Sequence, residues 1–247
     1  MHKNFKLILE YDGSAFCGWQ RQKNERTIQG EIEKALTRMT GQKIVLTASG
    51  RTDAGVHALG QVANFHCETR LSALIFQKGL NSLISDDIVI KRCEEVPETF
   101  NARFDVKSKT YRYTILNRSI PAAIGRQYAW FIPKELDTDA TQSAIRHIIG
   151  PHNFKAFEGA GSPRSSSTRH VLRAELFLSQ PDYLVFEIEA NGFLRFMVRN
   201  IVGTLVDVGL NKITAADFKD ILLSKDRSRA GMTAPPQGLF LVQVKYE

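Results

Sequence analysis

Gly50-Arg51-Thr52-Asp53-Ala54-Gly55-Val56-His57 sets one carboxylate between two glycines, beside an arginine and ahead of a histidine. Glycines this close together permit a sharp turn or a close approach to another group, because they lack the Cβ that obstructs both. Arg51 supplies the opposite charge that favours the ionised form of Asp53. Two readings fit the stretch. In one, Asp53 caps the next element or pairs with Arg51 at the surface; in the other, the loop is built around a carboxylate that does chemistry. Strand-like segments at 43–48 and 61–66 flank it, so the octapeptide is expected in a strand-to-strand loop.

Working outward, apolar side chains at 5, 7, 9 and 11 alternate with Lys6 and Glu10, the pattern of a strand with one buried face, and Asp12-Gly13-Ser14 ends it. A helix follows from about Thr27: Ile28, Ile32, Ala35, Leu36 and Met39 fall at helical spacing, Thr27 caps it and Thr40-Gly41 stops it, although Gly30 weakens its first turn. A short helix is predicted over 72–83 and a strand over 87–95. A second cycle begins with a strand at 109–117 that carries Tyr111, Tyr113 and Ile115 on one face. It continues with a helix at 138–149 and a hairpin of 169–179 and 183–190 around Gln180-Pro181-Asp182. A helix at 194–208 aligns Phe196, Met197, Ile201, Val202 and Leu205, and a short helix at 214–223 and a strand at 238–246 follow.

The expected fold class is α+β, in two pseudo-equivalent modules, 1–106 and 107–247, forming a mainly antiparallel sheet with helices packed on one face and a basic active-site cleft. No direct sequence repeat accompanies the repeated order of elements. Residues 152–168, rich in glycine and serine, read as a long mobile loop, either a plain surface connection or one that closes over a substrate. Arg164, Arg169 and Arg173 give that region an RNA-facing character.

Composition narrows the function classes. Hydrophobic residues at 43% and charged residues at 24% of 247 are those of a globular chain with a sizeable core, which excludes a fibre or a disordered tail. Lys plus Arg number 33 against 26 Asp plus Glu, a balance of +7 that favours polyanionic partners such as nucleic acid. Cys17, Cys67 and Cys93 are odd in number and without CxxC spacing, so neither a disulfide framework nor a zinc cluster is signalled and a reducing compartment fits. His66 and Cys67 are adjacent and fall on opposite faces of a strand, which suits no metal site. No secretory leader pattern and no apolar run of membrane length is present, so a cytoplasmic protein without membrane contact is expected.

The octapeptide, Tyr111-Arg112-Tyr113 downstream and Met197-Val198-Arg199-Asn200-Ile201-Val202-Gly203 beyond it resemble, in order and spacing, the tRNA pseudouridine synthase A family. Tyr11-Asp12-Gly13, Phe16-Cys17-Gly18-Trp19-Gln20 and Thr27-Ile28-Gln29 are similar to that family's N-terminal signature. Phe100-Asn101-Ala102-Arg103-Phe104 and Lys109-Thr110-Tyr111 are similar to its central one. The likeness runs along essentially the whole chain, with Phe193-Leu194-Arg195-Phe196 a local variation.

The resemblance implies uridine isomerisation in tRNA without a cofactor or metal, at positions 38, 39 and 40 of the anticodon stem-loop, by a homodimer. Asp53 falls at the family's catalytic aspartate, Tyr111 at its substrate-binding tyrosine and Arg199 at its arginine position. Arg199, on an otherwise apolar helix, is expected to salt-bridge Asp53, since burying an arginine unpaired is costly; the competing reading is an exposed arginine at the helix's polar edge. Arg51 is expected in the same cluster. For Tyr111 the bland reading is a core aromatic on a strand face. Phosphate contacts are expected from spread-out cations including Arg21, Lys23, Arg103, Lys107, Lys109, Arg112, Arg164, Arg169 and Arg173. The alternatives are a non-catalytic tRNA-binding chaperone, which explains the charge but not the setting of Asp53, and a nucleosidase, which would call for a water-activating base or metal.

Overall fold

The computed structural model describes residues 2–161 and 166–247; the role expected of Arg164 lies outside the described residues. In chain order the elements are β1 (His2–Tyr11), α1 (Ile28–Thr40), β2 (Thr47–Ala48), β3 (His57–Glu68), α2 (Ala73–Leu83), β4 (Ile88–Val96), β5 (Ser108–Asn117), β6 (Trp130–Ile132), α3 (Thr138–Ile145), β7 (Gly150–Asn153), β8 (Thr168–Gln180), β9 (Tyr183–Ala190), α4 (Met197–Gly209), α5 (Ala215–Ser224) and β10 (Leu239–Lys245). They form two compact units, Met1–Lys107 with Phe240–Glu247, and Ser108–Leu239. Both are α+β and mainly antiparallel. The last strand, expected to close the second module, belongs to the first unit, where it runs parallel to β3 through the pairs Phe240–His57 and Leu241–Ala58.

In the first unit the strand order is β4-β1-β3-β10, with β2 on β3. Alternation in β1 turns Phe5, Leu7 and Leu9 to the core, where Phe5 meets Phe65 of β3 at 5.4 Å and Phe76 of α2 at 4.8 Å between ring centroids. Burying each such ring contributes roughly 2 kcal/mol. Thr27 caps α1 through its Oγ1, which accepts from Gly30 N–H, and Gly41 ends it in the left-handed region at φ 69°. The glycine that weakened the helix in the sequence has a local reason: a Cβ at Gly30 would lie 2.9 Å from Thr27 Oγ1.

Residues 43–46, expected as strand, pair with no strand. The N–H of Leu46 goes to Glu33 and its carbonyl accepts from Gln29, both on α1, so that pairing begins at Thr47. β3 starts earlier than the composition suggested, at His57, and the octapeptide therefore runs directly into the sheet.

In the second unit β6, β5, β9, β8 and β7 lie side by side. Tyr111, Tyr113 and Ile115 stand opposite Ile188, Phe186 and Leu184 on one face, and α4 covers that face with Val202, Leu205 and Val206. Regular structure extends into the segment expected as a long loop from 152. Gly150–Asn153 pairs with β8, and Phe154 and Phe157 are fully buried, the latter stacked on Phe218 of α5 at 5.6 Å. α4 begins at Met197 instead of 194, because Phe196 sits at φ 60°, outside helical geometry.

Candidate active site

The Asp53 loop is fastened from below by its own unit. Gly18, at φ 86°, lies against its backbone so closely that a Cβ there would stand 2.7 Å from the Thr52 carbonyl oxygen and 3.1 Å from Asp53 C and Ala54 N. The Trp19 N–H donates to Thr52 O at 3.0 Å, and Val56 N–H closes the turn onto Asp53 O at 3.2 Å, with Gly55 at φ 76°. Gly13 fits under Val56, where a Cβ would meet its carbonyl oxygen at 2.0 Å. These contacts account for three glycines: Gly13 and Gly18 serve the loop from outside it, and Gly55 turns within it.

Side chains complete the fastening. Tyr11, at the end of β1, is hydrogen-bonded through its hydroxyl to Thr52 Oγ1 at 2.8 Å, and Gln61 Nε2 donates to Gly50 O at 3.0 Å. Ser49 Oγ donates to Gln61 Oε1 at 2.7 Å. Burial pushes the Tyr11 hydroxyl up to about 12, against the opposing pull of Thr52 and Gln61, so it stays neutral at physiological pH. His57 is buried and stacks on Phe240 of β10 at 4.6 Å. Its Nδ1 lies 3.0 Å from Gly13 N and 3.1 Å from an Asp12 carboxylate oxygen, so the ring is tied to the turn that follows β1. Within this frame Thr52 is buried, Asp53 half-buried and Arg51 exposed. The loop thus presents a half-buried carboxylate on a backbone that its neighbours fix.

The second unit carries the other two expected residues. Tyr111 is 8% exposed, with its ring edge-on to Phe193 at 5.0 Å, and it lies on the sheet face that α4 covers. Arg199, in the first turn of α4, is half-buried: its Nε donates to Ala234 O at 2.7 Å, and its guanidinium lies 5.1 Å from the Phe196 ring centre. The Ala234 N–H returns a bond to Arg199 O at 3.1 Å, so side chain and backbone together grip the segment before β10. Tyr113 donates its hydroxyl to Pro235 O at 2.7 Å in the same segment. Burial raises its pKa far above the usual tyrosine range, opposed by the charge of Arg199.

That segment escaped the sequence reading. Asn200, fully buried, donates to Phe157 O at 2.8 Å and accepts from Thr233 Oγ1 at 2.6 Å and Arg227 at 3.0 Å. Gly203 makes room for it, since a Cβ there would lie 1.7 Å from Met232 O. Asn200 and Gly203 were visible in the motif around Arg199, whereas their partners at 227–235 carry no periodicity to announce them.

Several expected phosphate contacts are already engaged within the protein. Arg112 and Arg173 both pair with Glu187, and Arg21 with Glu33 at 2.8 Å. Among the described residues no group of three His, Cys, Asp or Glu side chains is placed to hold a metal ion. No helix among them is long and apolar enough to cross a membrane. Cys17, Cys67 and Cys93 are free thiols.

With this architecture described, the chain's relatives define its class. The family model described as tRNA pseudouridine synthase matches residues 7–105 and 144–247, and the chain belongs to that family of RNA-modifying isomerases. It is 45% identical over 244 residues to the tRNA pseudouridine synthase A of Thermoanaerobacter sp. (strain X514), covering 99% of this chain and 100% of that protein. The proteins of that name from Acetivibrio thermocellus, over 245 residues, and Clostridium acetobutylicum, over 244, are also 45% identical, each with 99% and 100% coverage. Among solved structures, a Cbf5-Nop10-Gar1 complex aligns with 96% of this chain and 57% of that one at 12% identity and a TM-score of 0.39.

Proposed function

We propose that this synthase converts uridine to pseudouridine at positions 38, 39 and 40 of the tRNA anticodon stem-loop, with Asp53 as its nucleophile. The N-glycosidic bond breaks, the uracil turns, and it rejoins the same ribose through carbon, so the reaction is an isomerisation that consumes nothing. Asp53 attacks the ribose or the base, or supports a glycal route; each divides one difficult exchange into smaller steps. Arg51 and Arg199 act as the cations of the site. Tyr111 stacks on the flipped uracil, as an aromatic ring does with an unstacked base. Flipping costs a few kcal/mol in a helix and less near a loop, in keeping with a stem-loop target. The enzyme works as a cytoplasmic homodimer, the unit of Met1–Lys107 with Phe240–Glu247 carrying the nucleophile and the unit of Ser108–Leu239 completing the site.

The observation that supports this reading most is the set of contacts on the Asp53 loop from Gly13, Gly18, Trp19 and Tyr11, which an incidental surface carboxylate has no use for. Incubating unmodified tRNA with the protein and no added metal, followed by nucleoside analysis, tests it. Pseudouridine is expected, and is expected to vanish in single turnover with Asp53→Ala. Free uracil would reveal a nucleosidase, and unchanged tRNA bound tightly a chaperone.

A further inference from the structure

The Asp53 loop leans on Gly18 and Trp19, and the two residues that follow them are tied to α1 by two side chains that a surface helix ordinarily turns to water. Gln29 and Glu33 are each 5% exposed. Gln29 N–H donates to Trp19 O at 3.0 Å, and its Oε1 accepts from Gln20 Nε2 at 2.9 Å and Arg21 N–H at 3.0 Å. Its Nε2 donates to Glu33 Oε1 at 2.8 Å. That same oxygen accepts from Leu46 N–H at 3.0 Å, while Glu33 Oε2 accepts from Arg21 at 2.8 Å. Both carboxylate oxygens are thus bonded, as burial of a charge demands.

Two apolar side chains would fill this volume without the desolvation cost of a carboxylate. What the polar pair adds is direction. It fixes Gln20 and Arg21 on α1, directly after Trp19, whose carbonyl accepts from the Gln29 backbone and whose N–H fixes Thr52, the residue next to Asp53. We propose that Gln29 and Glu33 are positioning residues for the reaction, acting on Asp53 through the Trp19–Thr52 hydrogen bond. The proposal rests on the reading of Asp53 as nucleophile.

Single-turnover isomerisation of unmodified tRNA, with tRNA affinity measured separately, tests it. Gln29→Leu is expected to slow the chemical step about 10- to 100-fold, the scale of a misplacement of about 1 Å, with the tRNA Kd nearly unchanged. Gln29→Glu sets two carboxylates together and is expected to be at least as slow. Adding Glu33→Gln restores a donor between them and is expected to recover about 10-fold, a coupling characteristic of residues in one network. This exchange pair carries the test if Gln29→Leu does not fold. Folded variants that isomerise at the normal rate while Asp53→Ala is inactive would overturn the positioning role and leave the nucleophile standing. A rate loss that tracks thermal stability without recovery in the double variant would overturn it too. An active Asp53→Ala would overturn the reading beneath it.

Discussion

Gly18 stands under Thr52 so closely that no larger residue fits: its own φ is 86°, and a Cβ would lie 2.7 Å from the Thr52 carbonyl oxygen. Gly18→Ala therefore meets both an unfavourable backbone and a backbone clash, and is expected to cost about 1–3 kcal/mol. The strain falls on the peptide next to Asp53, so single-turnover isomerisation should slow more than tRNA binding weakens. Thermal melts and paired rate and affinity measurements check both.

Tyr11 gives the fold a measurable alkaline limit. Its pKa is raised by burial to about 12 from 10. The unfolded tyrosine loses its proton near 10 while the folded one keeps it, so the contribution is complete below pH 10 and is lost as pH rises from there towards 12. The two units of difference correspond to about 3 kcal/mol. Urea unfolding between pH 8 and 11.5 is expected to show stability falling above pH 10, with a shallower fall in Tyr11→Phe.

Asn200→Ala removes a buried amide that serves three partners, Phe157, Thr233 and Arg227. Leaving such groups without a partner costs about 1–3 kcal/mol apiece, so a loss of about 3 kcal/mol or more is expected. Asn200→Asp keeps the acceptor for Arg227 and Thr233 and loses the donor to Phe157, and should fall between the two. Chemical denaturation curves for the three proteins check the order.

Arg199→Lys keeps the charge but loses the Nε–H that reaches Ala234 O and the planar group beside Phe196. If charge alone sufficed, the lysine would serve. The expected outcome is a fall in isomerisation of about 10-fold or more with thermal stability little changed, because arginine and lysine are not interchangeable where direction matters. Steady-state kinetics with a melting curve settle the point.

The parts of the fold with a local cause were legible in the sequence. Alternation gave β1, Thr27 and Gly41 bounded α1, and Gln180-Pro181-Asp182 marked the turn between β8 and β9. Where the reading slipped, a partner far along the chain had intervened. Leu46 looks like strand but spends its backbone groups on Gln29 and Glu33. The start of α4 was displaced by the left-handed Phe196, which occupies the space that Gly159 leaves open. In the candidate site the motifs singled out Asp53, Arg51, Tyr111 and Arg199, but periodicity says nothing of what holds them. Gln29 stands out only as part of the Thr27-Ile28-Gln29 signature, and neither Glu33 nor the segment at 227–235 carries a sequence signal of its own.

The return of β10 to the first unit has a consequence for the order of events during synthesis. The whole of Ser108–Leu239 is translated before β10 exists to pair with His57, the residue on which the Asp53 loop enters the sheet. Until then β3 offers a bare edge beside that loop, and the loop's support is unfinished. The support of the Asp53 loop is thus completed from far along the chain: a version that stops before Phe240 leaves His57 and Ala58 without their β10 partners.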